Sequence, residues 1–143
     1  LMRDSIQQWN SLKTKKSPVY QNLEEAVRAR HFAGKLKKSS VETLVARGLG
    51  ENTDGLVWRS DPRLRIKSRL YLSEAQILQM IQEITAQVLV IEAEDTDTRR
   101  WVDLLRSRLG YVKNLDHRIL PGGHHLHLDE PQSVASAIKD FLE

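Results

Sequence analysis

A chain of 143 residues, 40% hydrophobic and 29% charged, has ordinary globular composition, and its longest apolar run, Val88-Leu89-Val90-Ile91, is far short of the roughly 20 residues that cross a bilayer. The lack of cysteine excludes disulfides, zinc-thiolate sites and a thiol nucleophile, and is compatible with a cytoplasmic protein. The net charge of +3 hides an asymmetry: residues 1–70 carry 15 Lys and Arg against 7 Asp and Glu, a net of +8, whereas residues 71–143 carry 7 against 12, a net of −5.

The basic half, with Lys13, Lys15, Lys16, Lys35, Lys37 and Lys38, lacks the interleaved aromatics on which bases stack. It reads as solvated helical surface, so no nucleic-acid partner is expected, nor a membrane. Leu23 to Phe32 has helical spacing, with Asn22 as its N-cap. Ser40 to Arg47 is a second helix, capped by Ser39 or Ser40, with Val41, Leu44 and Val45 on one face and Gly48 as its stop. Between Gly50 and Leu70, Gly55, Pro62 and the dense Arg and Lys content argue against a long element. A third helix runs from Ser73 to Ile84, its apolar stripe formed by Ile77, Met80, Ile81 and Ile84. Residues 1–85 therefore read as a helical region with an irregular middle.

The pattern changes at Ala86. Gln87 to Glu92 is a continuous aliphatic run bounded by acidic turn residues, as expected of a strand buried on both faces of a parallel sheet. Arg99 to Leu109 is a helix ended by Gly110, and His117 to Leu120 is a second short strand. Pro131 opens the last helix, to Leu142, with Val134, Ala135, Ile138, Phe141 and Leu142 as its buried face. Residues 86–143 thus form a βαβα unit, and two parallel strands need neighbours to make a covered sheet.

Between the last strand and the last helix lies Pro121-Gly122-Gly123-His124-His125-Leu126-His127-Leu128-Asp129-Glu130-Pro131. A histidine on such a loop, at the carboxyl edge of a sheet, is placed where a catalytic base reaches a nucleophile on another strand. A divalent-metal reading of His124, His125, His127 and Asp129 is weaker. On an extended segment His125 and His127 point one way and His124 the other, so no metal site is expected.

These features resemble an α/β-hydrolase: residues 86–143 are similar to the last two strands and helices of that fold, and residues 1–85 to the helical cap that precedes them. The likeness is closest to the serine hydrolase-like subgroup. It is carried by Leu23-Glu24-Glu25-Ala26-Val27, Ala46-Arg47-Gly48-Leu49 and Gly55-Leu56-Val57-Trp58-Arg59-Ser60-Asp61-Pro62-Arg63-Leu64, in that order before the Val88 strand. The resemblance implies an α/β fold in two regions, a cap over 1–85 and a C-terminal strand-helix-strand-helix part of the core over 86–143. It implies His124 as the base, because the family's histidine follows a glycine about seven residues before the proline of the last helix. It implies an acid after the penultimate strand. Ala93 and Thr96 stand where the family has Gly and Asp, which points to Asp95 or Asp97 for the role, or, as in other members, to an acid after the preceding strand, outside this chain. Trp58 is the candidate for the substrate wall, and Arg59 and Asp61 for bracing the cap.

No G-x-S-x-G turn occurs in these residues, and the chain starts at Leu1. The expectation is a fragment of an esterase-like enzyme, acting without a cofactor on a small-molecule substrate. Its nucleophile would lie elsewhere, and the fragment alone would be inactive. It would need the missing half of the hydrolase, or self-association, as a partner. The alternative is a non-catalytic module binding a ligand or partner on the same fold.

Overall fold

The computed structural model describes residues 2–12, 17–68, 70–95 and 99–143. The chain divides into two compact units, Leu1–Tyr71 and Leu72–Glu143.

In the first unit α1 (Met2–Leu12) precedes β1 (Val19–Tyr20), α2 (Leu23–Phe32) and α3 (Lys38–Gly48), then β2 (Leu49–Asn52) and β3 (Gly55–Trp58) and a single 3-10 turn, Pro62–Arg65. The Asn22 side chain accepts from Glu25 N at 2.9 Å, and Glu25 returns the favour by accepting from Gln21 N at 2.8 Å, which fixes the start of α2. Helices α2 and α3 enclose the unit's core: Ala26, Val41 and Val45 are fully buried, with Leu36 and Leu49 beside them. Helix α3 starts earlier than its serines suggest. Its N-cap is Lys37, which makes no side-chain cap, and Ser40 is buried inside the helix.

The expected irregular middle is instead a small antiparallel sheet in the order β1-β3-β2, with Val19 opposite Val57 and Leu49 opposite Trp58. Asn52 closes the hairpin by accepting from the amides of Asp54 and Gly55 at 2.9 and 3.1 Å. The side chain of Asn52 substitutes for strand pairing at the tip, and this short-range chemistry outweighs the polarity of the segment.

The second unit contains α4 (Glu74–Gln82), β4 (Val88–Asp95), α5 (Arg99–Leu109), β5 (Leu115–Gly123), α6 (Leu126–Asp129) and α7 (Pro131–Leu142). Ser73 and Gln76 form a reciprocal capping box at the start of α4. Strands β4 and β5 pair in parallel, from Val88 opposite Leu115 to Ala93 opposite Leu120, joined by the α5 crossover. Their aliphatic residues are only half-buried, not covered on both faces, because the described residues supply two strands and no third neighbour. The inner face of α7 differs from the expected one: Ala137 is buried, while Ala135, Ile138 and Leu142 are exposed. Helix α4, within the cap region by its sequence position, lies in this second compact unit, where Arg108 grips Glu74 at 2.7 and 2.9 Å.

Candidate functional site

The carboxyl ends of β4 and β5 are shaped by Pro121. It has no N–H for a ladder, and the register slips there: Ala93 faces Leu120, but Asp95 faces Gly123, so β5 spends one extra residue. Gly122 takes φ +133°, a conformation that side-chain-bearing residues rarely adopt, and a Cβ there would meet Leu126 at 3.3 Å and Glu130 at 3.4 Å. Strand β5 thus extends through the glycine pair that reads in the sequence as a turn, and the chain turns one residue later, at His124 and His125.

This register places Asp95 and His124 together at one sheet edge: Asp95 is the last residue of β4, and His124 follows its Cα partner Gly123. His124 is exposed and edge-on to His125, with ring centroids 4.9 Å apart. From Leu126 the chain is helical, with Leu126 buried. The extended segment assumed for the three histidines is therefore absent, and the expected alternation of His124 against His125 and His127 with it. His125 and His127 stand edge-on at 6.1 Å. Among the described residues no three His, Asp or Glu side chains converge as metal ligands would. Asp97, the other candidate acid, lies outside the described residues.

Beneath this edge sits a charged cluster that the sequence does not advertise. Glu92, the last residue of the strand read from the sequence, is inside the longer β4 and buried, 6% exposed. It accepts from Arg106 Nη2 at 2.7 Å and lies 2.9 Å from His117 Nε2. The Arg106 guanidinium holds the Glu92 carboxyl below the usual carboxylate range against the opposing effect of burial, and His117 adds to the shift. One carboxylate thereby ties α5 to both strands. Arg118 ties β5 to α7, bonding Asp116 at 2.7 Å and the Ala137 carbonyl at 3.1 Å.

Trp58 belongs to the first unit. It is half-buried, donates Nε1 to the Tyr20 hydroxyl at 3.4 Å and faces a cavity of about 320 Å³. Asp61 pairs with Arg63, not with Arg59, and its carboxyl is lowered to about 2 by that hydrogen bond. Arg59 instead lies over Gly50.

A hypothetical protein of Pseudomonas aeruginosa PAO1 superimposes with TM-score 0.85 at 32% identity, over 99% of this chain and 51% of its own. A thioesterase domain from the curacin biosynthetic pathway superimposes with TM-score 0.71 at 23% identity, over 92% of this chain and 50% of its own. A serine hydrolase-like protein of Danio rerio is 27% identical over 99% of this chain. The chain has an α/β-hydrolase fold and is similar to serine hydrolase-like proteins. It spans 31% to 45% of the length of the curated relatives it matches. No protein-family model matches it. Strand β4, helix α5, strand β5 and helix α7 follow one another in the strand-helix-strand-helix order expected from the sequence. No helix among the described residues is long and apolar enough to cross a membrane.

Proposed function

We propose that this chain contributes the histidine base and the cap of a serine-type α/β-hydrolase that cleaves an ester or a related acyl bond, with the nucleophile on a part of the enzyme outside these 143 residues. The observation that carries this reading is the Asp95–Gly123 pairing, which sets an acid and the residue preceding His124 side by side at the carboxyl ends of adjacent parallel strands. That edge is where ligands and catalytic groups gather in open α/β sheets. In this reading His124 takes the proton from a serine hydroxyl as it attacks the acyl carbon, then returns it to the departing alkoxide. Asp95 orients the imidazole and stabilises its cationic form; Asp97 is the alternative acid. The chemistry calls for no cofactor.

The chain alone lacks the elbow and the oxyanion donors that form and hold an acyl intermediate. The expected result is no turnover of short p-nitrophenyl esters by the purified chain. The complete enzyme, by contrast, is hydrolytic, and a serine-directed phosphonate labels a serine outside these residues. Turnover by the chain itself, or a label on one of its own serines, overturns the assignment.

A further inference from the structure

We propose that the cavity walled by Tyr20, Arg30, Trp58, Ser60 and Arg65 binds a small ligand bearing one anionic group, a carboxylate or a phosphate, on a flat apolar body. The cavity, of about 320 Å³, is formed entirely within the first unit and falls in the size range of roughly 300–1,000 Å³ usual for small-molecule sites. Its wall includes two arginines from different elements, Arg30 in the last turn of α2 and Arg65 at the end of the 3-10 turn. Among the described residues no carboxylate lines it. The acids closest along the chain are engaged: Glu24 with Arg28, Glu25 with the Gln21 amide, and Asp61 with Arg63.

The polar groups that remain are donors suited to an oxygen-rich anion. The Tyr20 hydroxyl already accepts from Trp58, which leaves its own proton for a ligand; Ser60 adds a second hydroxyl. The Arg30 guanidinium lies beside Gly34, where an added Cβ would stand 2.5 Å from Nη1. Two arginines and two hydroxyl side chains lining one cavity with an indole suit a charged head on a planar or acyl body, since charge-assisted hydrogen bonds fix the head and the ring packs against the rest.

The proposal extends the reading of Trp58 as a substrate-facing residue, yet binding requires neither His124 nor a nucleophile. Anion affinity in an enzyme that hydrolyses nothing leaves the pocket standing and removes the hydrolase. The test is calorimetric titration of the chain with 1-naphthyl phosphate, 1-naphthoate and 1-naphthol. At least one anion binds tenfold or more tightly than naphthol, and the tighter of the two names the head group. Arg30→Ala and Arg65→Ala each weaken that anion by roughly tenfold, while Arg47→Ala, exposed on α3 and away from the cavity, leaves it unchanged. Circular dichroism confirms that each variant is folded. Equal binding of naphthol, no binding of either anion, or an Arg47→Ala loss as large as that of Arg30→Ala overturns the proposal.

Discussion

Gly48 shows how a single atom governs the first unit. A Cβ there would stand 2.5 Å from Trp58 Cζ3 and 3.0 Å from Cε3, so the helix end and the indole share space that only glycine leaves open. An alanine would gain roughly 1 kcal/mol of helix propensity, but overpacking against a ring costs roughly 1–3 kcal/mol. The indole cannot retreat freely, because its Nε1 is bonded to Tyr20. Gly48→Ala therefore lowers the urea midpoint. Gly110→Ala, with nothing within 4 Å of its Cβ, leaves the midpoint within the spread of ordinary surface substitutions, roughly 0.5 kcal/mol either way. If the two variants are equally stable, the Trp58 packing is wrong.

At the scale of elements, β4, α5 and β5 are joined by Glu92 through Arg106 and His117. A carboxyl whose folded pKa is depressed adds stability that is present above its ordinary value of 4.5 and is lost as pH falls through the folded value. Glu74, lowered by its hydrogen bond to Arg108, acts in the same direction. Glu92→Gln removes the charge but keeps the shape. It is expected to cost roughly 1–3 kcal/mol near neutral pH, and to flatten the fall in thermal midpoint below about pH 4.5. An unchanged acid limb in that variant contradicts the assignment.

These same elements show what the sequence reveals and what it hides. The helices Leu23–Phe32, Arg99–Leu109 and Pro131–Leu142 match their sequence readings because caps, glycine stops and 3.6-residue spacing are local signals. The hairpin of β2 and β3 is hidden because its strands are only four residues each, and β3 is flanked by β1 through a contact across more than thirty residues that no local pattern carries. The role of Glu92 is hidden for a related reason: the sequence places it in the strand, but its partners lie 14 and 25 residues away and meet it only in the fold. At the candidate site the resemblance to the family, through its spacing from histidine to proline, points to His124 in the sequence. The bulge that brings Gly123 opposite Asp95 depends on strand register and emerges only in the fold.

For the whole molecule, burial is incomplete. In the second unit Met80, Ile119, Ile138 and Leu142 are 61%, 52%, 43% and 75% exposed, beside a two-stranded sheet whose aliphatic residues are half-covered. Apolar faces and strand edges of this kind favour association. We propose that they are met either by the remaining half of the hydrolase or by a second copy, so sedimentation of the isolated chain at micromolar concentration is expected to show oligomers. A compact monomer with cooperative unfolding would contradict this.

The account as a whole rests on which residue of the Gly123-His124-His125 corner moves the proton. The most direct test is the acylation rate of the complete enzyme with a p-nitrophenyl ester, measured for His124→Ala and His125→Ala in parallel. Loss of a triad base lowers that rate by roughly 10³ or more. His124→Ala is expected to do so while remaining folded, and His125→Ala to change it far less. Near-normal acylation by His124→Ala would contradict the assignment of the base.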